Sequence, residues 1–219
     1  MTRVLILGAG GHGQVVADIL LAQQHAGEAL AIAGFLDDNP ALAGRMLMGF
    51  PVLGRIADLP GIPHDAVVVA LGDNRRRGDV FGQLAKVGGY FFAARHPSAV
   101  VSPHASVAEG TVICARAVIN PTASVGRNVI VNTACVVEHH VRVGDHAHLA
   151  PAVTLGGGAT IGEGALVGIG ATVLPRVEIG AWSTVGGGAC VVRAVPAGVC
   201  VVGVPARALR RGPAAGAAG

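Results

Sequence analysis

Aromatic residues are scarce in this chain: five Phe, one Trp and one Tyr among 219 residues. Charged residues make up only 13%. A core of large rings is thereby excluded, and the interior has to be built from Val, Ile, Leu and Ala around tight turns, for which 34 glycines are at hand. That composition points to a repetitive β architecture. The formal net charge of +3 is small and no basic stripe carries interleaved aromatics, so nucleic acid is not an expected partner. The one dense basic run, NRRRGD at Asn74–Asp79, reads as a solvated loop or helix start. No apolar run approaches the length that spans a bilayer, and the opening MTRVLILGAGG breaks at glycine too early for a signal peptide. A cytoplasmic chain without a membrane span is expected. Cys114, Cys135, Cys190 and Cys200 form no CxxC pair, which fits a reducing compartment and a role as small hydrophobes.

What the chain does have is a repeat. From Val101 to Val191 every sixth residue is Val, Ile or Leu, sixteen positions in one unbroken register. A small residue often stands two places earlier, as at Ala117, Ala123, Ala147 and Ala165, and glycine often follows, as at Gly126, Gly144, Gly162, Gly168, Gly180 and Gly186. The physical solution is a solenoid of short strands, because residues two apart on a strand share a side and one such unit cannot bury its inner face alone. The glycines are expected at the corners, where positive φ costs little, and no long loop is expected to interrupt the coils.

Fewer than a hundred residues precede the repeat. RVLILGAGGHGQVVADILLA reads as a buried strand (residues 3–7), a glycine turn and an amphipathic helix. Gly8, Gly10 and Gly13 match G-x-G-x-x-G, which brings backbone close to a phosphate at a helix N-terminus. A second strand ends at Asp37 and Asp38, an acidic pair suited to sugar or ribose hydrogens, and a third, from Ala66 to Leu71, ends at Gly72, Asp73 and Asn74. Three strand ends then converge on the usual ligand edge of an open parallel sheet. There is room for one mononucleotide half but not for two, which favours a nucleotide-linked small molecule over NAD.

The repeat is a hexapeptide repeat and resembles the left-handed parallel β-helix of the hexapeptide acyltransferases. The order GAGGHG (8–13), FLDD (35–38), ALGDNRRR (70–77), HPSAVVSPHASV (96–107), NTACVVEHH (132–140) and VGVPAR (202–207) resembles the sialic acid O-acetyltransferase-like family of sugar acyltransferases. Within it the similarity is to bacterial nucleotide-sugar N-acetyltransferases of the bacillosamine and perosamine pathways. The resemblance implies a Rossmann-like nucleotide-sugar-binding domain at 1–96, a left-handed β-helix at 97–200, and a closing segment with a flexible tail at 201–219. It also implies a homotrimer with active sites between solenoids, acetyl-CoA as co-substrate, and no metal.

By the same resemblance His139, in the N-x(6)-H motif with Asn132, is the general base that takes a proton from the sugar's amino group. The position after it normally holds Asp or Glu; here it is His140, and Glu138 or Asp145 is the carboxylate nearest in sequence. Glu138, His139 and His140 are therefore the catalytic candidates. Gly10, Gly11, His12, Asp37, Asp38 and Gly72 fall on nucleotide-sugar positions, and His148, Ile169 and Gly187 on coenzyme positions. His146 has no counterpart and reads as a solvated turn residue. Three rivals stand beside this reading: O-acetylation of a sialic acid or related hydroxyl, a zinc enzyme like the gamma-class carbonic anhydrases drawing on the histidine cluster, and a nucleotide sensor on a trimerisation scaffold. A hydroxyl demands a stronger base than an amine does, so an imidazole lacking its carboxylate leans toward the amine.

Overall fold

The computed structural model describes residues 1–209; the expected tail from Gly212 lies outside them. The first unit runs β1 (Thr2–Leu7), α1 (Gly11–His25), β2 (Leu30–Leu36), β3 (Met46–Leu47), β4 (Phe50–Gly54), β5 (Ala66–Val69) and α2 (Asn74–Lys86). The strands form one sheet in the order β3-β4-β2-β1-β5, parallel except for the β3–β4 hairpin. Sequence reading missed that hairpin. Its two-residue turn, Met48 and Gly49, has positive φ at both positions, the turn that matches strand twist, but Met stands where Asn or Asp would have signalled it.

β1 lies inside the sheet between β2 and β5, and its alternation splits the core. Val4 and Ile6 pack with Val16, Ile19 and Leu20 of α1, while Leu5 and Leu7 pack with Phe81 of α2 and with Phe91. Gly13 lies so close to the Gly8 carbonyl that a Cβ would overlap it, which explains the third glycine of the fingerprint as a helix-to-strand contact.

From Ala94–Arg95 onward the chain winds a three-faced parallel β-helix. Face I carries Val100–Val101, Val118–Ile119, Val136–Val137, Thr154–Leu155, Thr172–Val173 and Cys190–Val191. Face II carries Ser106–Val107, Ser124–Val125, Arg142–Val143, Thr160–Ile161 and Glu178–Ile179. Face III begins at Ala94–Arg95 and continues through Val112–Ile113, Ile130–Val131, His148–Leu149, Leu166–Val167, Thr184–Val185 and Cys200–Val202, closed by an antiparallel Arg207–Ala208. Neighbouring strands pair residue i with i+18, as Val118 with Val136 and Val136 with Thr154, so three hexapeptides make one coil. The expected aliphatics are the second residue of each strand and line the interior. Each fully buried one contributes roughly 1.5 to 3 kcal/mol. The last coil is two residues short, pairing Thr184 with Cys200.

The corners differ from expectation. Positive φ falls three residues after each aliphatic from Val107 to Val185, mostly at residues that are not glycine: Arg116, Thr122, Asn128, Ala134, His140, His146 and Ala152 in succession. The glycines that directly follow the aliphatics serve stacking. A Cβ on Gly144 would lie 2.6 Å from the Glu163 nitrogen of the next coil, and one on Gly168 would lie 2.7 Å from that of Gly187.

The two units share a core, since α1 packs on Ala94, Val112 and Cys114 of face III. The basic run at the start of α2 is also not simply solvated. Asp73 caps the helix by accepting from the Arg76 N–H, but Arg77 is fully buried. Its guanidinium donates to the carbonyls of Leu71, Asn128 and His146 and to Oδ1 of Asn74, fastening α2 to the corner between faces II and III. Among the described residues no helix is long and apolar enough to cross a membrane.

Candidate active site

The four clustered histidines go to three places, because one coil turns the chain past three corners in eighteen residues. His139 and His140 stand at the corner between faces I and II, His146 at the corner between II and III, and His148 on face III. Within one chain they do not converge.

His146 is not a solvated turn residue. Its ring meets Phe81 edge-on, with centroids 5.6 Å apart, and its Nδ1 lies 2.9 Å from Nδ2 of Asn128. Burial, followed by nearby Arg77 and Arg127, outweighs the attraction of Asp145 and Glu163 and lowers its pKa. It belongs to the junction between the units.

At the carboxyl edge of the small sheet, Asp37, Asp38, Gly72, Asp73 and Arg76 border a cleft of about 420 Å³. Gly10, Gly11 and Gly72 leave open space where side chains would stand. The two aspartates are already engaged. Asp37 accepts from the Ala9 N–H at 2.7 Å and from the Asn39 N–H, bracing the glycine turn; Asp38 accepts from the Ile56 N–H and pairs with Arg76 at 2.6 Å.

His12 turns from this edge toward face III, its ring centroid 6.4 Å from that of His148. Burial first, then Arg77, lowers the pKa of His12 to about 4; burial, Arg77 and His12 lower that of His148 to about 3. Both rings are therefore neutral near pH 7 and too weakly basic to serve well as a general base there. His148 Nε2 lies 3.3 Å from Nδ2 of Asn132, and Nε2 of His12 is buried without a partner among the described residues. Ile169 and Gly187 are neighbours on successive coils at the corner between faces III and I, where Asn132 also stands. Ile169 is 65% exposed there.

His139 lies at the other edge of face I. With His140, Gly157, Gly158, Pro175 and Arg176 it lines a cavity of about 460 Å³. Gly157, from the next coil, runs beneath the imidazole: a Cβ there would approach Cε1 at 2.6 Å and Nε2 at 2.7 Å. Sequence reasoning did not single out Gly157; its only signal was the run Gly156–Gly158. The carboxylates expected to support the base do not reach the ring. Glu138 accepts from the backbone N–H of His139, and Asp145 is bound by Arg127 through Nε, Nη2 and the backbone N–H at a different corner. The ring's hydrogen-bond partner is His140, Nδ1 to Nδ1 at 2.9 Å.

An α/β unit with an open carboxyl edge, docked on a hexapeptide β-helix with an exposed corner imidazole, is the construction of a sugar acyltransferase. Residues 3–84 match the PglD N-terminal domain and residues 158–193 the bacterial transferase hexapeptide repeats. The chain is 32% identical over 217 residues to GDP-perosamine N-acetyltransferase of Escherichia coli O157:H7, covering 95% of this chain and 96% of that one. It is similar to PerB from Caulobacter crescentus, solved with CoA and GDP-perosamine, at 40% identity and a TM-score of 0.85 over 96% of this chain and 98% of that one. The acetyltransferase domain of PglB from Neisseria gonorrhoeae, solved with acetyl coenzyme A, matches at 35% identity and a TM-score of 0.87, over 95% and 99% of the two chains. The chain belongs to the family of hexapeptide-repeat nucleotide-sugar N-acetyltransferases of the perosamine and bacillosamine type.

Proposed function

We propose that this protein transfers the acetyl group of acetyl-CoA to the amine of a nucleotide-linked 4-amino-4-deoxy sugar, with His139 as general base. The observation that carries the assignment of the base is the contrast among histidines. His12 and His148 are half-buried and held neutral, whereas His139 is exposed, with its Nε2 edge over Gly157 and an open cavity beside it. The missing carboxylate contact supports the amine over a hydroxyl acceptor, because a hydroxyl needs the stronger base. The nucleotide sugar lies along the carboxyl edge of the sheet from Gly10 and Gly11 past Asp37 and Asp38 to Gly72, with His12 on the side that faces His148. Since both carboxylates already accept protein donors, they offer the ligand their remaining lone pairs.

His148, Ile169 and Gly187 hold the coenzyme along face III and its corner with face I. That corner and His139 lie on opposite edges of face I, so one chain does not assemble the whole site. The site closes when the coenzyme corner of one copy meets the His139 corner of another, in a homotrimer whose three solenoids stand side by side. Light scattering on the purified protein tests this, and an active monomer would contradict it.

The activity is tested by thiol release from acetyl-CoA with UDP-, GDP- and CDP-linked 4-amino sugars and with sialic acid. Turnover of one nucleotide amino sugar is expected, falling roughly 10²- to 10⁴-fold in His139→Ala. Turnover of sialic acid alone would replace this reading with O-acetylation.

A further inference from the structure

We propose that His140 takes the part of the missing carboxylate: it holds the imidazole of His139 in the one tautomer able to accept a proton from substrate. The inference rests on reading His139 as the base.

A neutral imidazole has one N–H donor and one acceptor nitrogen. The Nδ1 to Nδ1 contact of 2.9 Å therefore carries one proton, from one ring to the other. The ring centroids are 5.2 Å apart and the planes 87° to one another, so both nitrogens lie near the line joining the ring centres; a strongly bent bond would bring the rings closer. Two arrangements satisfy this contact. In one, His140 donates, the proton of His139 is on Nε2, and the base is blocked. In the other, His139 donates from Nδ1, its Nε2 keeps a free lone pair over Gly157, and His140 carries its own proton on Nε2. Only the second is competent.

During transfer the amine nitrogen bonds to the acetyl carbonyl carbon and its proton passes to Nε2 of His139. The carbon–sulfur bond breaks, and the coenzyme thiolate takes the proton as His139 returns to its starting form. While His139 is an imidazolium, its Nδ1–H still donates to His140. A neutral acceptor supports that cation less than a carboxylate would, which suits an amine acceptor. The charged groups around the pair are Glu138, engaged with the backbone N–H of His139, and Arg176, which lines the cavity.

His140 also turns the corner, with φ +60, and Gly158 takes the same place one coil on. His140→Gly therefore deletes the acceptor without straining the turn, and His140→Asp supplies a carboxylate at a residue type that tolerates this φ. Thiol release is measured with acetyl-CoA and the acceptor found active in the panel above. We expect His140→Gly to lower kcat roughly tenfold to a hundredfold, with KM for acetyl-CoA nearly unchanged. His140→Asp should recover the rate and move the acidic limb of the pH profile upward, because a carboxylate favours the imidazolium. Long-range ¹⁵N–¹H spectra of ¹⁵N-histidine-labelled protein, assigned with His139→Ala, should show His139 protonated at Nδ1, and this should be lost in His140→Gly.

A His140→Gly rate within about twofold of wild type beside a dead His139→Ala would overturn the role of His140 while leaving the proposed function standing. So would a wild-type His139 protonated at Nε2. An active His139→Ala would instead sink the reading of His139 as base, and this inference with it.

Discussion

Nη2 of Arg77 donates to the carbonyl oxygen of His146 at 2.7 Å, joining the first turn of α2 to a corner of the β-helix sixty-nine residues further along the chain. The same guanidinium also bonds Leu71, Asn74 and Asn128. Burial lowers its pKa to about 10, so it stays charged at any ordinary pH. Arg77→Met keeps much of the volume but leaves partly or fully buried carbonyls of Leu71, Asn128 and His146 without this donor. A loss of about 3 kcal/mol is expected, read by urea denaturation, with the two units ceasing to unfold together.

Gly157 decides where the His139 ring can lie. Gly157→Ala places a methyl within 2.6 Å of Cε1, and because His139 is exposed the ring can swing away rather than break the coil. The expected result is a fall in kcat of roughly 10²-fold, the cost of misplacing the proposed base by about 1 Å, with the melting temperature little changed.

The coils stand on their interior aliphatics. Leu155 is fully buried in the middle of face I, so Leu155→Ala leaves a cavity that neighbouring coils cannot close without losing their own pairing. Destabilisation of about 2 to 5 kcal/mol is expected from denaturant titration.

His12 and His148 make stability depend on pH. Above about pH 6.5 both are neutral whether the chain is folded or not. Below it the unfolded chain binds two protons that the folded chain refuses until about pH 4 for His12 and about 3 for His148. Stability should therefore fall as pH is lowered through that window. Calorimetric melting temperatures between pH 7 and 4.5 would show it, and His148→Gln should flatten the decline.

Much of this fold was legible because its signal is local and repeated. A six-residue period at Val101 through Val191 can be satisfied in only a few ways, and β1 with the glycine turn and α1 follows from a buried run meeting Gly8, Gly10 and Gly13. The β3–β4 hairpin was not legible, since its turn residues gave no cue. The corner glycines were misread for a related reason: Gly144 and Gly168 answer to backbone in the next coil, eighteen residues away, while positive φ went to residues such as Asn128 and His140.

By itself the sequence determined that the chain would coil, what would fill the coil, and which family's motifs it carries. The tertiary structure decided who touches whom. It separated four neighbouring histidines among two corners and a face, buried Arg77 out of an apparently solvated run, committed Asp145 to Arg127, and set His140 against His139. Contacts of this kind depend on the angle at which each hexapeptide turns and on what the adjacent coil presents, and neither is written in the spacing of residues along the chain.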